Sequence, residues 1–266
     1  MEFDSPALRS YIKLFASEMK GKFAMYKPKT NWIDTCGQKF PDRIKLLETI
    51  LDDTTIVYID FANVRGWLKR LGWAIDLRKL KDLLDSFGVV ESRFYFGTIH
   101  GDQGSEKFMK FVHSCGYKMR TKRVKIMQLS IDVTSISPRS PDILTNFIDG
   151  TLLKNLRVEA IEYLNNELKA MNKLGTLFLE CPKCNFDVEI GSDMRLDNHI
   201  HKAQSFCLWS GDSDFHDPLT ELLHDHKRVS VVGTARHIAA EINSLKGKGL
   251  QIFDVKKLRE FIEKKP

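Results

Sequence analysis

Phe206-Cys207-Leu208-Trp209-Ser210-Gly211-Asp212-Ser213-Asp214-Phe215 is the stretch on which the fold turns. Its first four residues form an apolar run of the kind that makes a strand buried on both faces, and Ser210-Gly211 ends it. Two carboxylates, Asp212 and Asp214, follow before a helical pattern opens near Pro218. The order is strand, acidic turn, helix. In open α/β sheets the carboxyl ends of the strands border the crevice where ligands bind, so these acids stand where chemistry is expected.

The same order recurs upstream. Ile56-Val57-Tyr58-Ile59 is a β-rich run that ends in Asp60-Phe61-Ala62-Asn63, and helical spacing follows through Trp67, Leu68 and Leu71. Asp76 caps a second helix carrying Leu77, Leu80, Leu83, Leu84 and Phe87; a strand is expected over 93–98, a helix over 105–115 and an extended segment over 117–121. Residues 122–141 read as a long irregular connection, and 152–171 as one long helix. Downstream of the opening stretch, helices around Leu219 and Ile238 alternate with strands over 229–232 and 250–253 before a last helix with Leu258 and Phe261. Such alternation predicts a Rossmann-like three-layer α/β fold with a mostly parallel central sheet.

This domain is expected over 54–266. Residues 1–53 read as a helical N-terminal extension, with Ser5 capping an amphipathic helix (Leu8, Tyr11, Ile12, Phe15, Met19) and Pro41 opening a second short one. The chain has 266 residues, 42% of them hydrophobic and 29% charged, with no apolar run near the roughly 20 residues that span a bilayer. A membrane-spanning protein is therefore not expected. The first ten residues carry acids where a secretory signal carries basic residues, which points to the cytoplasm. Five cysteines are too few for a disulfide framework, and Cys36 and Cys115 read as free thiols. A net charge of +6 gives weak support for a polyanionic partner.

Asp60, Asp212 and Asp214 all fall just past strand ends, and parallel strands share one carboxyl edge, so the three can converge. Clustered carboxylates repel unless a cation neutralises them, and hard oxygen donors favour Mg²⁺ or Mn²⁺. The plain alternative is that each acid caps a helix and Asn63 is a turn residue. The short sequences decide for the first reading. Ile59-Asp60-Phe61-Ala62-Asn63 resembles the first motif of the NYN domain, a branch of the PIN-like nucleases, and Ser210-Gly211-Asp212-Ser213-Asp214-Phe215 is similar to its late motif. The resemblance, to the LabA-like branch in particular, runs over 55–262 and includes the closing Val229 to Gly233 and Phe253-Asp254.

The resemblance implies a PIN-like sheet with a metal-dependent endoribonuclease site acting on single-stranded RNA, in which Asp60, Asp212 and Asp214 hold the metal and Asn63 orients a ligand or water. The family places a further acid on the central helix, often after a Lys and in a Val-Asp pattern. The corresponding stretch here is taken as Lys154-Asn155-Leu156-Arg157-Val158-Glu159, which makes Glu159 the substitute, with Glu162 one turn on. This departure keeps open an RNA-binding or regulatory module with weak or lost catalysis. An aspartyl phosphatase usually has a second Asp two residues after the first, where Ala62 stands.

Cys181-Pro182-Lys183-Cys184 is a tight C-x2-C knuckle, followed by His199 and His201. Thiolates at this spacing with two imidazoles suit a structural Zn²⁺, with Cys207 as an alternative fourth ligand, and 176–203 then reads as a small zinc-binding insert. The alternative is a reduced hairpin with surface histidines. Lys118, Arg120 and Lys122 share one face of an extended segment, and Arg65, Lys69 and Arg70 follow the first acidic turn; these are candidate contacts to a phosphate backbone. A charged edge strand that resists aggregation explains the row equally well.

Overall fold

A computed structural model describes residues 26–99, 101–175, 178–234 and 237–265, apart from the side chains of 69, 181 and 182. The Ser5 helix lies outside the described residues. In chain order the elements are α1 (Asn31–Lys39), α2 (Pro41–Glu48), β1 (Thr55–Asp60), α3 (Phe61–Leu71), α4 (Leu77–Asp85), β2 (Glu91–Thr98), α5 (Gln103–Ser114), β3 (Lys118–Arg123) and β4 (Lys125–Ser130). They continue with α6 (Gly150–Asn155), α7 (Val158–Asn172), β5 (Phe178–Lys183), α8 (Asp187–His199), β6 (Ser205–Trp209), α9 (His216–His224), β7 (Arg228–Gly233), α10 (Ala240–Ser244), β8 (Gln251–Asp254) and α11 (Arg259–Ile262).

The chain divides into two compact units, 1–122 with 185–266, and 123–184. The larger unit is built on a six-stranded sheet in the order β3-β2-β1-β6-β7-β8. The pairs β1·β2, β1·β6, β6·β7 and β7·β8 are all parallel. β1 and β6 are the central strands and every residue of both is buried. Their continuous apolar runs are what such a position demands. From β1 the chain moves outward through β2 to β3, and it later returns to β6 on the other side of β1 before moving outward again. The order therefore reverses between β1 and β6, and at that switch point the loops diverge and leave a crevice. The α/β sandwich expected from the alternation is what the structure has.

The core of this unit runs through Val57, Ile59, Trp67, Leu80, Phe94, Trp209 and Phe261, and it includes Ile33, Ile44 and Leu47 from α1 and α2. Trp32 Nε1 donates to the Phe261 carbonyl at 3.0 Å. From residue 31 the N-terminal segment is thus part of the same core rather than an appendage.

In the smaller unit β4 and β5 pair antiparallel, with Met127 opposite Cys181. Its own core is small, Leu144, Leu153 and Ile161 with Ile148, Leu156, Leu164 and Leu168 around them. Asn165 pins the loop beneath α7 by donating to the Pro138 and Ser140 carbonyls at 2.8 and 2.7 Å. The expected single helix over 152–171 is two helices, broken where Leu156 is extended. The connection expected to be irregular contains β4.

The stretch 176–203, expected as an insert, contains β5 and α8, and α8 is a layer of the main fold: Ile190 and Met194 are fully buried. Its inward face also carries Asp193 and Asp197, which accept from Tyr95 Oη at 2.7 Å and Tyr58 Oη at 2.6 Å. Arg93, 4% exposed, bridges Asp197 at 2.8 Å and Asp193 at 3.4 Å and is also paired with Glu91. Among the described residues no helix is long and apolar enough to cross a membrane.

Candidate metal site

Asp60 ends β1 and caps α3. Its Oδ1 accepts from the Asn63 N–H at 3.3 Å and its Oδ2 from Ser210 Oγ at 3.2 Å. Ser210 is the residue after β6, so this bond ties the two central strands together at their carboxyl ends. Asp60 is 5% exposed. Burial pushes its carboxyl above the ordinary range; the bonds from Asn63 and Ser210 oppose this, and the charge on Asp212 adds to it.

Asp212 follows the close passage at Gly211, where a Cβ would lie 2.4 Å from the His237 carbonyl oxygen. Only glycine lets the two backbones approach, and they are joined by the Ala239 N–H donating to the Gly211 carbonyl at 2.9 Å. Asp212 also caps the short turn Ser213–Phe215, accepting from the Asp214 N–H at 3.4 Å. Capping and a site role are therefore both available to Asp60 and Asp212.

One further acid joins them. Asp187, the first residue of α8, offers a carboxylate oxygen within 4.8 Å of those of Asp212 and Asp214, and this trio is the one such group among the described residues. Its carboxyl is pushed up to about 6, first by burial and then by the charges of Asp60, Asp212 and Asp214, with Lys122 pulling the other way. Carboxylates this close repel one another unless a cation relieves them. A donor set made wholly of carboxylate oxygens fits Mg²⁺ or Mn²⁺ and does not suit a soft metal.

The acid that the structure gathers with Asp212 and Asp214 is Asp187, at the start of α8. Glu159 is exposed on α7 in the smaller unit, where Glu162 pairs with Arg139 at 3.2 Å. A signal for Asp187 exists in the sequence: Asp187-Val188 opens a run with Ile190 and Met194 at helical spacing, four residues after Lys183. Asn63 has a positioning part beside the site. Its Oδ1 accepts from Trp67 Nε1 at 2.9 Å and from the Gly211 N–H at 3.3 Å, so it fastens α3 to the loop after β6.

Of the cationic row, Lys118 pairs with Glu91 at 3.1 Å, Arg120 with Asp193 at 3.0 Å and Lys122 with Glu189 at 2.7 Å. Lys122 also lies over the Phe186 ring. This row joins β3 to acids of β2 and α8, leaving Arg65, exposed on α3, outside these pairs. Cys181 lies in β5 and Cys184 just beyond it, both in the smaller unit, whereas His199 and His201 belong to the larger one. Cys207 is fully buried within β6 and burial pushes its thiol up to about 11, as for a cysteine packed in the core.

The NYN domain family model matches residues 153–246, a span that contains Asp187, Asp212 and Asp214 but ends short of Asp60 on the N-terminal side. No curated protein matches the sequence. A crystal structure of a protein of unknown function from Vibrio parahaemolyticus is similar at a TM-score of 0.47 and 15% identity, covering 78% of this chain and 94% of the other.

Proposed function

We propose that this chain is a metal-dependent nuclease, an endoribonuclease that hydrolyses phosphodiester bonds of single-stranded RNA. One observation carries the reading: Asp187, Asp212 and Asp214 gather their oxygens within 4.8 Å at the switch point of a parallel sheet. The buried Asp60 stands beside them. The NYN match supports a nuclease class. RNA as the substrate and the LabA-like branch rest on the motifs at Ile59–Asn63 and Ser210–Phe215.

Asp187, Asp212 and Asp214 would hold Mg²⁺ or Mn²⁺, with the buried Asp60 beside Asp212. A bound divalent ion would supply Lewis acidity toward water and offset the charge that builds on a phosphate. The protein's part is to fix the acids: Ser210 and the Asn63 N–H hold Asp60, the Asn63 side chain holds the loop that carries Asp212, and α8 presents Asp187. The departure at Arg157 and Glu159 suggested a module without cleavage; Asp187 gives the nuclease reading a further acid.

Labelled single-stranded RNA and DNA incubated with Mg²⁺, Mn²⁺ or chelator test the reading. Asp187→Asn and Asp212→Asn should each lower the cleavage rate about a hundredfold or more, since even partners of metal ligands contribute up to that. Metal-dependent cleavage that survives both substitutions would sink it. Binding without cleavage in the wild type would instead identify a binding module. The structural zinc is a separate proposal, resting on the Cys181/Cys184 spacing; metal analysis should find one equivalent of zinc, lost in the Cys181→Ser/Cys184→Ser variant, and a zinc-free native protein would refute it.

A further inference from the structure

A cleft of about 530 Å³ shares Asp212 with the carboxylate group. α3 lines it with Asn63, Gly66 and Arg70, which fall on one helix face, and Ser213 and His237 lie across from them in sequence. Among the described residues the side chains of Arg70 and His237 have no hydrogen-bond or ion-pair partner. That sets them apart from the other cations near the acids. Lys118, Arg120 and Lys122 are taken by carboxylates. A second cavity, of about 740 Å³, contains Asp187 and Asp214, but its Arg195 is paired with Glu221 and its His216 with Asp217. The first cleft thus holds an uncommitted guanidinium together with Asp212, and the second holds no free cation among the described residues.

We propose that this cleft binds a phosphate of single-stranded nucleic acid next to the bond that is cut, with Arg70 as the charged fork and His237 as a further donor. The inference rests on the nuclease reading of the carboxylates and adds a substrate subsite to it. A guanidinium matches two phosphate oxygens at once, which gives position as well as attraction. Gly66 leaves room for the ligand, since a Cβ there would meet nothing within 4 Å. The same opening supplies a test that does not endanger the fold, because a larger side chain at Gly66 fills the cleft and favours the helix.

Fluorescence anisotropy with end-labelled single-stranded RNA and DNA oligonucleotides, on the full chain in chelator, measures binding with cleavage switched off. Arg70→Ala should weaken binding about tenfold and make the log–log salt dependence shallower by about 0.7, the share of one phosphate contact on a single strand. Gly66→Leu should weaken it similarly with an unchanged melting curve. The proposal is overturned if the wild type binds neither oligonucleotide, or if both variants bind like the wild type. Cleavage in Mg²⁺ then separates the two readings. Loss of binding in both variants, with no cleavage by the wild type, keeps the cleft and removes the nuclease. Cleavage abolished by Asp187→Asn but untouched in both cleft variants keeps the nuclease and removes the cleft.

Discussion

In the metal-free protein Asp187 carries a charge that its surroundings oppose. Its carboxyl rises from the ordinary 3.8 to about 6, so the folded chain holds the proton more tightly than the unfolded one. The sign follows from linkage: stability is greatest below the ordinary value, falls as pH climbs through this window, and stays lowered above it. Asp187→Asn should therefore stabilise the protein at pH 7 in chelator by about 1–2 kcal/mol, after allowance for solvent screening, with the gain vanishing below about pH 4. Urea denaturation at the two pH values checks this; equal stability at pH 7 would mean that the acids do not repel as described. Asp60 and Asp212 were legible in the sequence because each follows an apolar strand run directly. Asp187 was not, because it opens a helix after an exposed ribbon, and Cys181 and Cys184 drew the same segment toward a zinc insert.

α8 shows why an element can escape a reading based on hydrophobic period. Its inward face sets Asp193 and Asp197 among Ile190, Gly191 and Met194, so two of its five buried positions are acidic. Those acids are tolerated because Arg93, Tyr58 and Tyr95 reach them from the sheet, and Arg93 lies over the Tyr58 ring. Nothing in a local window reveals partners that sit on β1 and β2. Removing Arg93 strands two buried carboxylates, and Arg93→Ala should cost about 3–5 kcal/mol in urea denaturation. A cost under about 1 kcal/mol would show that water reaches these acids and that the bridge is not what seats α8. The strands were easier to read: β1 and β6 carry the continuous apolar runs Ile56–Ile59 and Phe206–Trp209, whereas β4 mixes Lys125, Gln128 and Ser130 with exposed Ile126 and Met127 and gives no clean alternation.

At the scale of the whole molecule, the mostly parallel sheet could be argued from the alternation of strands and helices, but the division into two units could not. The smaller unit carries few buried apolar residues, and its segments look like loops and surface helix when read alone. Asp60, Asp187, Asp212 and Asp214 all belong to the larger unit, and Glu159 to the smaller. A ligand that binds only the folded state adds stability as RT ln(1 + [L]/Kd), about 2.7 kcal/mol at a hundredfold excess over Kd, and it suppresses the local openings of the segments it holds. Hydrogen exchange with and without Mg²⁺ should therefore show added protection at the end of β1, the first turn of α8 and the loop after β6. Residues 158–172 of α7 should exchange at the same rate in both conditions. Asp212→Asn should erase the difference. Added protection on α7 would instead bring Glu159 to the metal.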